Sequence, residues 1–418
     1  HMFSTDRSGA ETWECVARSN PQAQTLQAMK GMKTLSSGRN RRKWIYVLLL
    51  MGLLGLSGCG SPSSASVEMS SQTELVKTGS MELQYAENFA VDYYEDGYKM
   101  LTTLPDSKRY LIVPEGQPVP RGLDEDVSIL QEPLQNIYLV ASGVMDMFAS
   151  VDAVDQIRFS GQKQENWYIQ TAKDAMAAGD MIYAGKYSKP DYELLVSEGC
   201  DLAIENRMIT HSPEVVEMLQ SFGIPVMIEY SSYEQHPLGK VEWVKFFGAL
   251  TGKEAEAEEA FAEQTEILEK VERGEKTGKT IAFFYVTSNG LIQVRQSTDY
   301  IPKLIELAGG RYIFENLEDS GSGRSTLNMQ VEDFYAGAKD ADILIYNSSI
   351  DGGVTTVDEL IGKCNILKDF KAVQEGQVYC TTNDMYQQSM AIGYLLQDMH
   401  TVLTDDDTAK LRYLFLLQ

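Results

Sequence analysis

Few side chains of this sequence have the type and the spacing that chemistry requires. After Cys59 the only histidines are His211, His236 and His400, and no two of them are spaced like metal ligands. The sequence also lacks the GxSxG, P-loop, HExxH and GxGxxG motifs, which position nucleophiles, phosphates, zinc and dinucleotides. We therefore predict that the chain is not an enzyme and has no catalytic residue, no resident cofactor and no metal site.

A binding function has better support, because polar loops follow several predicted strands. Ligands of open α/β sheets bind beside the loops that leave the carboxyl ends of the strands. The candidate loops are residues 141–145, 205–211, 230–236, 287–293, 347–351 and 383–387. They are rich in Ser, Asn, Tyr and Met, which suit a large and partly apolar ligand, and an arginine beside them could pair with an anionic group. The predicted ligand-binding residues are Ser142, Met145, Arg207, Met208, His211, Tyr233, Tyr285, Arg295, Asn347 and Tyr386.

Each of these residues also has a plainer interpretation. A Tyr or a Met at such a position can belong to the packed core instead of a ligand site. His211 could contact a ligand or cap a helix, and the two interpretations have equal support. His400 lies in the predicted last helix and is interpreted as structural.

Cys59 could undergo a different chemistry. It ends the tetrapeptide Leu-Ser-Gly-Cys at 56–59, which follows a basic segment at 39–43 and an apolar run of about 13 residues at 44–56. This arrangement resembles a lipobox, where an export signal is cut and the new N-terminal cysteine is lipidated. The run is short for a membrane span and contains glycines, which argues against the alternatives of a plain membrane anchor or a buried helix. We predict a lipoprotein, lipidated at Cys59 and held on the extracytoplasmic face of the cell membrane.

Charge and cysteine content restrict the partners further. The net charge of −24 repels nucleic acid and anionic lipid head groups, so we predict neither as a partner, and the lipid anchor alone makes the membrane contact. Cys200, Cys364 and Cys380 lie far apart in the sequence, without metal-ligand spacing. They could form one disulfide after export or remain three free thiols.

The hydrophobic pattern predicts the elements that position the loops. Residues 81–86, 89–94, 98–103 and 109–114 alternate like antiparallel strands, and Asp96-Gly97 supplies a hairpin turn. Strands and helices then alternate in two units. In the first unit the predicted segments are a strand at 136–141, a helix at 212–222 and a strand at 224–228. In the second unit they are strands at 280–286, 341–346 and 377–380 and helices at 301–308, 331–338 and 388–403.

Between the two units, residues 242–273 have high helix propensity, interrupted only around Gly252-Lys253. We therefore predict an α/β fold with two Rossmann-like lobes, a long connecting α-helix and a ligand cleft between the lobes. The predicted organisation is a tag, leader and lipoprotein signal peptide at 1–58, a flexible tether at 59–79, an N-terminal lobe at 80–240, a connecting helical segment at 241–275 and a C-terminal lobe at 276–418.

The order of these pieces is similar to that of a known family. The stretches that carry the similarity are YLVASGVM at 138–145, KPDYELLVSEGCDLAI at 189–204, FGIPVM at 222–227, SSYEQHPLGKVEW at 231–243, LIELAGG at 304–310, VEDFY at 331–335 and DADILI at 340–345. Over residues 80–418 the chain resembles the substrate-binding lipoproteins of ABC importers. Within them it resembles the rigid-helix class, whose members bind ferric siderophores, haem or cobalamin.

The resemblance implies a monomeric, periplasmic-binding-protein-like receptor that delivers an iron–siderophore-type metal chelate to an ABC permease and its ATPase. Cobalamin or haem is the alternative ligand within the class. A receptor for free metal ions and an exported enzyme on the same fold are the alternatives from other classes. The resemblance also implies one acidic permease-docking residue on each lobe, for which Glu165 and either Glu315 or Glu318 lie near the expected places.

Overall fold

A computed structural model describes residues 74–317, 325–406 and 408–418 of the chain. The predicted signal peptide, Cys59 and Glu318 lie outside the described residues. Among the helices that the structure describes, none combines the length and the apolar character that crossing a membrane requires.

The first described sheet is formed by residues 77–131. Its strands are β1 Lys77–Ser80, β2 Phe89–Tyr94, β3 Lys99–Thr103, β4 Lys108–Val113 and β5 Val127–Gln131, in that order across the sheet. Neighbouring strands are antiparallel except β4 and β5, which are parallel. The predicted Asp96-Gly97 turn is present, with φ values of 58° and 83°. The prediction missed β5.

The segment at 81–86, predicted as a strand, is a loop, and β1 precedes it instead. The reason is that two buried carboxylates accept hydrogen bonds from the backbone N–H groups at the end of this segment and directly after it. Glu242 accepts hydrogen bonds from the N–H groups of residues 84–86, and Glu234 accepts from those of residues 87 and 88. Because these donors are satisfied by side chains, they are not available to a strand ladder. The predicted tether at 59–79 also extends too far, since β1 begins at Lys77.

The N-terminal lobe contains a parallel sheet with the strand order β12-β11-β6-β7-β8. Its strands are β6 Ile137–Leu139, β7 Ile157–Ser160, β8 Ile182–Tyr183, β11 Leu202–Glu205 and β12 Val226–Ile228. A two-stranded ribbon consists of β9 Gly185–Lys186 and β10 Lys189–Pro190. The helices of this lobe are α1 Val144–Ser150, α2 Gln170–Ala178, α3 Tyr192–Ser197 and α4 Pro213–Ser221.

The connecting segment folds as two helices, α5 Pro237–Thr251 and α6 Glu254–Glu272. Gly252 separates them with a left-handed φ of 72°, at the interruption predicted from the sequence. Helix α5 is buried on all sides and packs against β2, β3 and α1. Helix α6 packs against α5 and against the C-terminal lobe, so the connection between the lobes is a packed helical pair.

The C-terminal lobe contains a mixed sheet with the strand order β16-β14-β13-β17-β18-β19, and β15 pairs with β13. Its strands are β13 Thr280–Val286, β14 Ile292–Arg295, β15 Arg311–Tyr312, β16 Thr326–Met329, β17 Ile343–Tyr346, β18 Val378–Thr381 and β19 Leu414–Leu416. Its helices are α7 Tyr300–Leu307, α8 Val331–Ala338, α9 Val357–Lys363, α10 Lys371–Gln374 and α11 Ile392–Thr404. The predicted α/β fold with two lobes is confirmed.

The cysteines that the structure describes are free thiols. Cys364 and Cys380 are buried, and Cys200 is partly buried. Burial raises the pKa of the Cys200 thiol to about 12 and that of the Cys380 thiol to about 11. Of the two alternatives left by the sequence, the structure corresponds to free thiols.

Candidate functional site

Loops at the carboxyl ends of the N-terminal-lobe strands face loops of the C-terminal lobe across a cleft. On the N-terminal side the cleft is lined by residues that follow β6, β11 and β12, in the segments 141–143, 206–211 and 229–233. On the C-terminal side the segment 385–392, which leads into α11, contributes half of the lining residues. The cleft consists of two chambers that share Ser232, Lys240, Tyr386 and Ser389.

The N-lobe chamber, which has a volume of about 500 Å³, is the larger of the two. The Arg207 guanidinium lies over the ring of Tyr233, 4.5 Å from its centroid, which fixes the arginine at the wall of the chamber. Met208 is about half exposed, and with Tyr233 it offers apolar surface. His211 and Asn206 complete this wall. The N-lobe chamber can therefore contact both the apolar and the anionic parts of a ligand.

The C-lobe chamber has a volume of about 180 Å³ and a more polar lining. Four serines line it, namely Ser232, Ser325, Ser349 and Ser389. Lys240 and Arg295 add two cations. Hydroxyl and cationic donors at this density favour an oxygen-rich anionic group over an apolar one.

Arg295 is held in place by a buried acid. Its Nη1 atom lies 3.4 Å from Oδ2 of Asp299, and its backbone oxygen accepts a 2.7 Å hydrogen bond from the Tyr312 hydroxyl. Asp299 also caps α7 by accepting from the N–H of Ile301. Burial raises the pKa of Asp299, although the charge of Arg295 opposes that shift.

On the opposite side, Glu229 is a buried acid with partners of its own. Its Oε2 atom accepts hydrogen bonds from the backbone N–H of Ser231 at 2.8 Å and from the Ser231 hydroxyl at 2.5 Å. Burial raises the pKa of Glu229, and the neighbouring charge of Lys240 opposes the shift. Glu229, like Asp299, is therefore held in place beside the cleft by hydrogen bonds that its carboxylate accepts.

One edge of the cleft is closed by direct contacts between the lobes. The Nε2 of Gln387 donates to the oxygen of Asn166 at 2.8 Å, and the N–H of Met390 donates to Oδ2 of Asp146 at 2.7 Å. Burial raises the pKa of Asp146 to about 6, and the hydrogen bond from Met390 limits the rise. The ring of Tyr168 also meets that of Tyr386, with the centroids 6.2 Å apart. The segment 385–391 thus both lines the cleft and joins the lobes.

The structure places seven of the ten predicted ligand-binding residues in the cleft lining. These residues are Ser142, Arg207, Met208, His211, Tyr233, Arg295 and Tyr386. The other three lie elsewhere: Met145 and Tyr285 belong to hydrophobic cores, and Asn347 is buried beneath the loop that it starts. Each of these three residues lies within an apolar run or directly after one, and each is buried in the protein instead of lining the cleft.

Sequence reasoning missed Lys240, Glu229 and Ser389. Lys240 is the last residue of the predicted N-terminal lobe, directly before the predicted connecting segment, and the structure places it in the apolar helix α5. Glu229 ends the apolar run of β12, and Ser389 falls within the segment predicted as the start of the last helix. In the structure that helix begins at Ile392, and short 3₁₀ turns precede it.

Comparison with known proteins finds distant relatives along most of the sequence. No family model matches the chain. Two uncharacterized lipoproteins of Methanocaldococcus jannaschii are similar to it. One is 24% identical over 394 residues, covering 86% of this chain and 92% of the relative, and the other is 23% identical over 367 residues, covering 83% and 90%.

Solved structures extend the comparison. The periplasmic haem-binding protein HutB of Vibrio cholerae superposes with a TM-score of 0.51 and 15% identity, over 64% of this chain and 98% of that one. A possible iron-binding periplasmic solute-binding protein of Staphylococcus epidermidis superposes with a TM-score of 0.50 and 16% identity, over 64% of this chain and 98% of that one. The fold is that of the periplasmic solute-binding proteins of ABC transporters.

A third solved structure has the same solute-binding fold. An ABC-type Fe³⁺-hydroxamate transport protein of Saccharomonospora viridis superposes with a TM-score of 0.50 and 16% identity, over 65% of this chain and 93% of that one. At these identities the similarity establishes the shared fold. In the solute-binding fold of the present chain, the cleft described above lies between the two lobes.

Proposed function

We propose that this protein is the extracytoplasmic, lipid-anchored substrate-binding component of an ABC importer. In this proposal it captures an iron–siderophore-type metal chelate between its lobes and delivers it to a permease and its ATPase. The observation that carries the proposal is the cleft, because aromatic, apolar and cationic side chains from both lobes line its connected chambers. A chelate offers the same combination of an organic body and polar oxygen atoms.

The chemistry of the cleft and the names of similar proteins favour this ligand class. The similar structures are named for iron binding, for haem binding and for Fe³⁺-hydroxamate transport. Haem and cobalamin stay alternative ligands of the same cleft, since both also combine a large organic body with polar groups. A receptor for bare metal ions is a further alternative. Within the described ranges, no group of three or more His, Cys, Asp or Glu side chains is arranged to hold a metal ion.

Delivery requires a surface that the permease can bind. Glu165 lies in the 3₁₀ turn Gln164–Asn166 and is exposed, next to the closed edge of the cleft. Glu315 is exposed on the other lobe and pairs with Arg311, with Nη2 and Oε1 3.3 Å apart. We keep Glu165 and Glu315 as the proposed docking residues, with Glu318 as the alternative on the second lobe.

Direct ligand titration tests the proposal. Full-length protein purified in detergent is titrated by intrinsic fluorescence with ferric siderophores, haem, cobalamin, Zn²⁺ and Mn²⁺. We expect saturable binding of a ferric chelate at micromolar concentration or below. Binding of free Zn²⁺ or Mn²⁺ alone would refute chelate capture, and chemical turnover of a bound compound would show that the protein is an enzyme.

A further inference from the structure

Lys240 occupies an unusual place for a charged side chain. It lies in the first turn of α5, only 9% of the residue is exposed, and it lines both chambers of the cleft. A cation at the beginning of a helix also opposes the helix dipole, so helix stability does not explain this residue.

The ammonium group has an aromatic neighbour but, among the described residues, no anionic partner in direct contact. Nζ lies 4.6 Å from the centroid of the Tyr300 ring. Within the residues that the structure describes, Lys240 makes no hydrogen bond or ion pair through Nζ. A buried ammonium without a hydrogen-bond acceptor is costly, so a ligand that supplies the acceptor would gain binding free energy.

The two acids near Lys240 do not serve as that acceptor. Glu229 is hydrogen-bonded to Ser231, and Asp299 is bonded to Arg295 and to the N–H of Ile301. Both acids interact with Lys240 electrostatically, and burial raises the pKa of each. Both carboxylates are therefore held by other donors.

Serine hydroxyls line the same two chambers. Ser232 and Ser389 line both chambers beside Lys240, and Ser325 and Ser349 line the smaller one. A lysine with several serine hydroxyls can bind the oxygen atoms of a carboxylate, a phosphate or a catecholate. The C-lobe chamber, at about 180 Å³, has room for one such compact group but not for a whole chelate.

We propose that Lys240 is the anion anchor of the cleft and that the ligand is anionic. An oxyanion group of the ligand binds Lys240 and the serines at the junction of the chambers, and the bulk of the ligand occupies the N-lobe chamber. This inference rests on the proposed binding function and specifies its ligand class, since an uncharged chelate offers Lys240 acceptor atoms but no compensating negative charge.

The test varies both the charge of the ligand and the charge of the side chain at position 240. Wild-type protein and the variants Lys240→Met and Lys240→Arg are titrated with a strongly anionic ferric tris-catecholate and with an uncharged ferric tris-hydroxamate. We expect Lys240→Met to weaken binding of the catecholate by at least about 30-fold, as expected for truncating one partner of a buried charge pair. Lys240→Arg should retain most of the affinity. Lys108→Met is the control, because Lys108 is exposed and lines neither chamber.

A second measurement is independent of the chelate. Thermal unfolding is followed with metal-free citrate and with inorganic phosphate, and sodium chloride at equal ionic strength serves as the reference. We expect citrate or phosphate to raise the Tm of the wild-type protein and of Lys108→Met, but not that of Lys240→Met. Equal stabilisation of Lys240→Met, or none in any variant, overturns the anion anchor. Tight binding of the uncharged hydroxamate that is insensitive to Lys240→Met also overturns it, while leaving chelate capture intact.

Discussion

The backbone N–H of Tyr168 in the N-terminal lobe donates a 2.7 Å hydrogen bond to Oε1 of Gln387 in the C-terminal lobe. The same Gln387 side chain donates to the oxygen of Asn166 and is fully buried. One amide group therefore satisfies a donor and an acceptor of the opposite lobe. Because Tyr386 beside it lines the cleft, the cleft lining and the lobe contact share one short segment.

Removal of this amide should destabilise the protein. Gln387→Ala leaves the Tyr168 N–H and the Asn166 oxygen without their partner, and we expect a loss of about 1–3 kcal/mol in the free energy of unfolding. Urea unfolding followed by circular dichroism measures the change. The exposed Gln374→Ala is the matched control and should stay within about 0.5 kcal/mol of wild type. Equal stabilities of the two variants would show that the lobe contact contributes nothing.

Glu205 should make stability depend on pH. Its carboxyl group is buried, both oxygens lack a hydrogen-bond partner among the described residues, and burial raises its pKa to about 9. The folded state therefore keeps a proton that the unfolded chain loses above its ordinary pKa of 4.5. Since the folded state binds more protons between these values, stability falls as the pH rises through this window.

Glu205→Gln removes the titrating proton and keeps the shape of the side chain. We expect the variant to gain stability relative to wild type as the pH rises from about 5 to about 8, by up to about 4 kcal/mol at the full linkage slope. Thermal unfolding across that pH range measures the difference in stability between the variant and the wild-type protein. The exposed Glu193→Gln should show no such trend. If the stability difference between Glu205→Gln and wild type does not change with pH, Glu205 is ionised in the folded protein.

The sequence predicted those parts of the fold that depend on local pattern. Strand β13 and helix α8 have the predicted bounds, since a continuous apolar run defines the strand and helix-spaced apolar residues define the helix. The loop at 81–88 could not be predicted in this way. Its alternating pattern suits a strand, but its amides bind Glu234 and Glu242, which lie roughly 150 residues further along the chain.

The candidate site could also be predicted only where local sequence determines it. Arg207 and Tyr386 were predictable because they follow strands in polar loops, and they line the cleft. Lys240 was not, because the local sequence around it indicates a buried helix. Only the packing of α5 beneath both lobes brings this side chain to the junction of the chambers.

Glu242 should be essential for the loop that it binds. Its carboxylate accepts from the N–H groups of Gln84, Tyr85 and Ala86, at 2.8 to 3.1 Å. Glu242→Ala leaves these donors without an acceptor, and we expect a loss of about 3–5 kcal/mol in unfolding free energy. Nζ of Lys245 lies 3.5 Å from Oε1 of Glu242 and 3.1 Å from Oε2 of Glu258, so both acids pair with this lysine. Glu258→Ala removes only the exposed carboxylate and should cost less than about 1 kcal/mol. Similar losses for both variants would assign the effect to Lys245 instead of the loop.

The junction of α6 and α11 leaves no room for a side chain at Gly393. The N–H of Gly393 donates to Oε1 of Gln264 at 2.9 Å, and an added Cβ would lie 2.8 Å from that oxygen. We expect Gly393→Ala to destabilise by about 1–3 kcal/mol. Gly362→Ala in α9 meets no atom within 4 Å and should stabilise by up to about 1 kcal/mol. Opposite shifts in Tm are the expected result, and parallel shifts would contradict the packing.

The proposed lipidation at Cys59, which lies outside the described residues, predicts that its removal changes the location of the protein but not its ligand binding. Cys59→Ala should preserve ligand affinity in detergent-purified protein, because the cleft is formed wholly by residues beyond 140. In cells the variant should lack the lipid modification and support less uptake, since tethering keeps captured ligand near the permease at high effective concentration.

Metabolic labelling with a fatty-acid analogue, membrane fractionation and uptake assays measure these effects. Cys200→Ala is the control, because Cys200 lies inside the folded part and should leave labelling unchanged. Labelling of Cys59→Ala at the wild-type level would refute the lipid anchor.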